Sequence, residues 1–158
     1  MSHSRIVVSQ SGLITGGKMS DYRISTDFAQ MDLDVIHGFV SQSYWAKGIP
    51  RDLLARAMRN SLCFGLFDGG NNQIGFARMI TDRATFAYLA DVFILESHRG
   101  KGLGKRLMQA IVDHPDLQGL RRMMLATRDA HALYALYGFT PIPNPEILMQ
   151  SWNPAVYG

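Results

Sequence analysis

Three glycines, Gly100, Gly102 and Gly104, alternate with Lys101 and Leu103 inside "ESHRGKGLGKRLM", residues 96–108, where an apolar strand pattern gives way to an amphipathic helix. A residue without a Cβ lets the backbone turn left-handed and lets a ligand approach it closely. Successive N–H groups can then converge on an anion at the positive end of the following helix. The same residues could instead make a tight strand-to-helix turn with a solvated basic edge, so the flanking sequence has to decide.

The flanks are orderly. Met31, Val35, Ile36, Phe39 and Val40 share one helical face, and Leu53, Leu54, Ala57 and Met58 share another after Pro50, a residue suited to a helix start. "LCFGLFD", a Gly-Gly-Asn-Asn turn, "IGFARMITD" and "TFAYLADVFIL" then read as successive strands, the first two forming a hairpin. After the glycine segment, Leu103, Leu107, Ile111 and Val112 line a helix that ends near "DHP". "RRMMLAT" follows as a strand, "AHALYALYG" as a short helix closed by Gly138, and "ILMQSWN" as a last strand beyond the loop "TPIPNPE". The expected class is α/β in the broad α+β sense, with a mixed, mainly antiparallel central sheet flanked by helices.

Nucleotide hydrolysis and hydride transfer both lose ground here. A Walker loop ends in Gly-Lys followed by Ser or Thr, whereas Gly104-Lys105 is followed by Arg106. A dinucleotide fingerprint opens a βαβ unit, whereas this segment follows an antiparallel meander and brings its third glycine one residue early. With 158 residues, 47% of them hydrophobic, the chain can build one core, and residues 21–158 read as one domain behind a flexible extension at 1–20. A net charge of +3 without a basic tract does not imply nucleic acid. The lone Cys63 lies in an apolar run and reads as a buried thiol, which suits a reducing compartment, and no Cys/His cluster has metal-ligand spacing. No stretch reads as a signal peptide or a membrane span, so the expectation is a soluble, cytoplasmic protein.

At Arg99, Gly102 and Gly104, with Gly100 as an additional glycine, the sequence resembles the GNAT superfamily of N-acetyltransferases. The family's signature is Arg or Gln, two residues, Gly, one residue, then Gly or Ala. "HALYALYGF", residues 131–139, is similar to the family's downstream helix with its Leu-Tyr, three residues, Gly-Phe pattern. Two motifs in the right order with a strand between them are more specific than either alone. The resemblance spans roughly residues 24–152 and is strongest over 89–139. It implies a central strand, "YLADVFIL", that splays from its neighbour to meet the pantetheine arm of acetyl-coenzyme A.

The resemblance also implies roles. Backbone amides of Arg99, Gly100, Lys101, Gly102, Leu103, Gly104 and Lys105 would hold the diphosphate of acetyl-coenzyme A, with the basic side chains adding charge. Backbone groups at Val92, Phe93 and Ile94 would bind pantetheine and polarise the thioester. Tyr134 would protonate the departing sulfur, or simply pack in its helix, while Tyr137 would serve as core or cofactor-edge packing. Asp91, beside the acceptor entrance, would take the amine's proton, hold a cationic acceptor, or act as a hydrogen-bonded strand residue; His131 is a weaker base candidate. Tyr44 and Trp45 could stack on the amine acceptor or gate it, although paired aromatics between helices more often belong to a core. His37 reads as structural. No metal is called for, and a homodimer is allowed but fixed by no residue. A silent acetyl-coenzyme A sensor and a protein-interaction module are the alternatives to an enzyme that acetylates a primary amine.

Overall fold

A computed structural model describes residues 21–158, so the extension expected at 1–20 lies outside the described residues. The sheet has five strands in chain order: β1 (Arg23–Ser25), β2 (Leu62–Phe67), β3 (Gln73–Thr81), β4 (Phe86–Ile94) and β5 (Arg122–Leu125). The first four are antiparallel neighbours, and β5 runs parallel to β4. That is the mixed, mainly antiparallel sheet expected from the sequence, with β1 as an unforeseen edge. Three residues are too short a run to show a period-2 pattern.

Four helices complete the architecture: α1 (Leu33–Val40), α2 (Arg51–Arg59), α3 (Leu103–Asp113) and α4 (His131–Ala135). The first helix starts two residues after Met31 because the Asp32 carboxylate accepts from the N–H groups of Asp34 and Val35, satisfying donors that the first turn leaves free. Its apolar face, Ile36 and Val40, packs with Leu54 and Met58 of α2 against Cys63, Phe76 and Phe93 on one side of the sheet. On the other side, Leu103, Leu107, Met108 and Ile111 of α3 cover Ile24, Phe64, Leu66 and Met79. Each such fully buried aliphatic contributes about 1.5–3 kcal/mol, so both cores clamp the sheet that carries the cleft.

One irregularity decides the geometry of that cleft. Along β4, Ala87 and Leu89 face the α3 core, yet Phe93, at the same parity, faces the α1–α2 core. Between them Phe76 opposes Phe93 while Arg78 opposes Ala90, so β4 carries an extra residue, and Asp91 sits at φ +56°. An inserted residue reverses every side chain beyond it. The bulge therefore turns Asp91 and Phe93 toward α1 and α2.

The last expected strand does not form. Ile147 closes a single 3-10 turn, Leu148 to Gln150 adopt no regular element, and every residue from Thr140 to Gly158 is exposed. A short apolar run makes no strand without a ladder partner, and none of the described residues supplies one.

Candidate active site

The β4–β5 ladder stops early. It runs from Phe86–Arg122 to Leu89–Leu125, leaving Ala90 to Ile94 of β4 without a strand partner on that side. A cleft of about 760 Å³ opens where the two strands part, with Asp91, Val92, Phe93 and Ile94 on one wall and Leu125 to Ala130 on the other. Tyr134, from α4, and the aromatic pair Tyr44 and Trp45, from the loop after α1, complete it.

At one end the cleft adjoins a smaller cavity of about 270 Å³, lined by Arg99, Gly100, Gly102, Leu103, Gly104 and Lys105. Gly102 caps α3 at φ +73°, and Gly100 lies at φ +79°. A Cβ on either would touch no protein atom within 4 Å. Packing therefore does not demand glycine; left-handed backbone and open space for an approaching group do. No side chain caps the first turn of α3 and no acidic residue stands in it, so its N–H groups suit an anion. The basic side chains divide. Lys105 lines the cavity, Arg99 Nε donates to Ile94 O at 2.9 Å, and Lys101 Nζ points to Tyr22 Oη at 3.3 Å and does not line it.

Tyr134 lies in the wall of the cleft, 9% exposed, with its ring edge-on to Phe139 at 6.0 Å. Its hydroxyl bonds to no other described residue. Burial pushes its phenol above the ordinary value, and the nearby Tyr44 and Asp129 push the same way. Tyr137 has a separate job: its hydroxyl donates to Lys105 O at 2.8 Å, tying α4 to the first turn of α3.

The Asp91 carboxylate is 5% exposed and engaged at both oxygens. Oδ1 accepts from Trp45 Nε1 at 2.8 Å, and Oδ2 from Arg78 Nε at 2.8 Å. Arg78 also donates to Ser61 Oγ at 3.1 Å. Tyr44 and Trp45 are not core residues, being 56% and 42% exposed, which corrects the expectation drawn from their pairing. A continuous series of ring contacts connects them to the interior. Phe39 stacks on Phe93 at 4.2 Å, Trp45 leans on Phe39 at 6.4 Å, Tyr44 stands edge-on to Trp45, and the Arg128 guanidinium lies 3.7 Å over the Tyr44 ring. His131 is exposed at the start of α4 and lines neither cavity, and His37 Nε2 binds Ile49 O at 2.8 Å as a structural group. Cys63 is buried, with its thiol pushed up to about 12 mainly by that burial.

A family model described as the acetyltransferase (GNAT) family matches residues 41–139, which include the glycine segment, the splayed strand and α4. The chain belongs to the GNAT family. A Gibberella zeae protein, named provisionally as an acetyltransferase, is 38% identical over 136 residues, 72% of this chain and 76% of that protein. A Xanthomonas campestris crystal structure, described provisionally as a GNAT-family acetyltransferase, is 53% identical with a TM-score of 0.84, covering 89% of this chain and 99% of its own. A GNAT acetyltransferase from Elizabethkingia anophelis, solved with acetyl-CoA bound, shares the fold at 14% identity and a TM-score of 0.58, with 76% of each chain covered.

Several residues of the GNAT cleft were not singled out from the sequence. Phe39 and Tyr88 line it from α1 and β4, Thr127 and Arg128 from the segment after β5, and His98 lines the glycine cavity while holding Tyr22 Oη through Nδ1 at 2.8 Å. Thr127 and Arg128 both fall in "TRDAH" before α4. The pairing of Arg128 with Tyr44 joins positions 84 apart and has no local signature.

Proposed function

We propose that the protein transfers the acetyl group of acetyl-coenzyme A to a primary amine by direct attack within a ternary complex. The observation that carries this is the continuity of the two cavities: an anion cradle at the start of α3 runs into a cleft with the Tyr134 phenol and the Asp91 carboxylate on facing elements. The diphosphate of acetyl-coenzyme A would lie on the amides of Arg99 to Lys105, and its pantetheine arm along Val92 to Ile94, whose backbone polarises the thioester carbonyl. The amine nitrogen attacks that carbonyl and passes its proton to Asp91, directly or through water. As the C–S bond breaks, Tyr134 supplies a proton to the sulfur. Tyr44 and Trp45 form the acceptor wall.

The engagement of both Asp91 oxygens favours a second role for that residue. Each oxygen keeps a further lone pair, so the carboxylate can still hold an ammonium group, but its bond to the indole also fixes the acceptor wall. The catalysed reaction, and not binding alone, separates an enzyme from a sensor. Free thiol release from acetyl-coenzyme A against a panel of amines and peptides is expected to exceed the rate without acceptor for at least one amine. A protein that binds acetyl-coenzyme A and acetylates nothing in the panel is a sensor, and one that does neither is an interaction module. Single-domain organisation, a soluble cytoplasmic location and homodimerisation belong to the same proposal; among the described residues, no helix is long and apolar enough to cross a membrane.

A further inference from the structure

The two walls of the cleft hold their charges differently. On β4, the Asp91 carboxylate is matched by the Arg78 guanidinium and the Trp45 indole, each at 2.8 Å. In the facing wall, Arg128 is exposed, and none of the described residues accepts a hydrogen bond from its guanidinium or forms an ion pair with it. What holds it is the Tyr44 ring, 3.7 Å from the guanidinium carbon.

A cation held over a ring keeps donors of its planar fork free, and that fork matches a carboxylate. The ring is itself braced. Tyr44 stands edge-on to Trp45 at 5.1 Å, and the Trp45 indole is tied to Asp91. A long cationic side chain ordinarily loses rotamer freedom on binding an anion, whereas one already laid on a fixed ring has lost part of it beforehand. The anion that fits is a small monoanion. Asp129, next in the chain, lines the same cleft, and its side chain takes part in no hydrogen bond or ion pair with another described residue. One cation beside one carboxylate is a poor seat for a phosphate dianion and a suitable one for a molecule that carries both signs.

We infer that the acceptor is an amine that also carries a carboxylate, and that Arg128 selects it by pairing with that carboxylate while the amine faces the thioester. This deepens, and rests on, the reading of the cleft as a site of acetyl transfer. Free amino acids and short acidic peptides offer the same chemistry.

The quantity to measure is a preference between paired acceptors. Amino acids are compared with their carboxamides, and short acidic peptides with their neutral counterparts, by calorimetric titration of the protein in the presence of coenzyme A. The carboxylate is expected to bind at least about tenfold more tightly in one of the two arms, and that arm identifies the source. Acetyl transfer to the same pairs should show the same preference in kcat/KM, carried by KM. Arg128→Gln should bring the preference close to unity in both measurements, and Arg128→Lys, which keeps the charge and loses the fork, should restore part of it. Dividing the preference of the parent by that of the variant cancels the different basicity of the paired amines. Absence of a carboxylate preference in both arms overturns the inference. So does an Arg128→Gln protein that keeps the preference, including one that binds both members of a pair more weakly by the same factor. If Arg128→Gln removes the binding preference but no amine is acetylated by either protein, the assignment of Arg128 holds and the reading of acetyl transfer fails.

Discussion

Tyr134 is buried enough to keep its proton and open enough on one side to donate it. Because burial raises its phenol above 10.0, the group stays protonated throughout the neutral range, and loss of the acid on the alkaline side should have its midpoint above that value. Tyr134→Phe removes the hydroxyl and keeps the ring against Phe139. The expected outcome is a fall in kcat of about 10²-fold with the affinity for acetyl-coenzyme A unchanged, measured by steady-state kinetics and calorimetric titration. Asp91 asks for a different comparison, since Asn can still accept the Trp45 indole while losing its ion pair with Arg78. An alkyl amine is almost wholly protonated at neutral pH and has both a charge to hold and a proton to lose before attack, whereas an aryl amine attacks uncharged and sheds its proton afterwards, from an acidic nitrogen that water can deprotonate. Asp91→Asn is therefore expected to lower kcat/KM for an alkyl amine by about 10-fold or more and to spare an aryl amine. Equal slowing of both acceptors would assign Asp91 to holding Trp45.

The elements that build the site were legible wherever a local rule forced them. Gly100 and Gly102 announced a left-handed turn before α3 because no other residue adopts it cheaply; the periods of α1, α2 and α3 followed from one buried face each, whereas β2 and β3, buried on both faces, showed as short apolar runs bounded by turn signals. The bulge at Asp91 was not legible. Its sequence, Ala-Asp-Val, reads as ordinary strand, and only the opposing register of β3 shows that one residue is surplus. The Trp45–Asp91–Arg78 network is hidden for the same reason, since it joins three elements through side chains alone. Elsewhere, the turn after α3 depends on His114, 3% exposed, whose Nδ1 accepts from Asp116 N at 3.0 Å. Burial holds this imidazole below 6.5, partly opposed by Asp116. Below pH 6.5 the unfolded chain gains a proton that folded His114 resists, so the stability it contributes is present above that pH and is lost as pH falls toward the lower folded value. His114→Asn keeps a side-chain acceptor without the titration. It should flatten the pH dependence of urea unfolding below pH 6.5 by up to about 1.4 kcal/mol per pH unit.

Across the whole molecule, the parted strands leave the sheet in two pieces that hold together mainly through the four paired residues of β4 and β5 and the core beneath α3. A ligand lying between them would touch the glycine turn, β4, the segment after β5 and α4 together, and so would brace the junction where the fold is most open. Anything that binds the folded state and not the unfolded one raises stability, by about 2.7 kcal/mol at a hundred times its dissociation constant. For a chain of this size that corresponds to a rise in Tm of about 5–10 °C. Acetyl-coenzyme A is expected to give such a rise in differential scanning fluorimetry. Gly102→Val adds a Cβ where no protein atom lies within 4 Å, and it also forces a branched residue to φ +73°, so the unliganded variant should itself melt lower. The decisive quantity is therefore the ligand-induced rise and not Tm itself. A tenfold weaker cradle loses about 1.4 kcal/mol, so the rise at the same ligand concentration should fall by about half. An undiminished rise in a folded Gly102→Val protein would leave the glycines as a turn and move the diphosphate elsewhere.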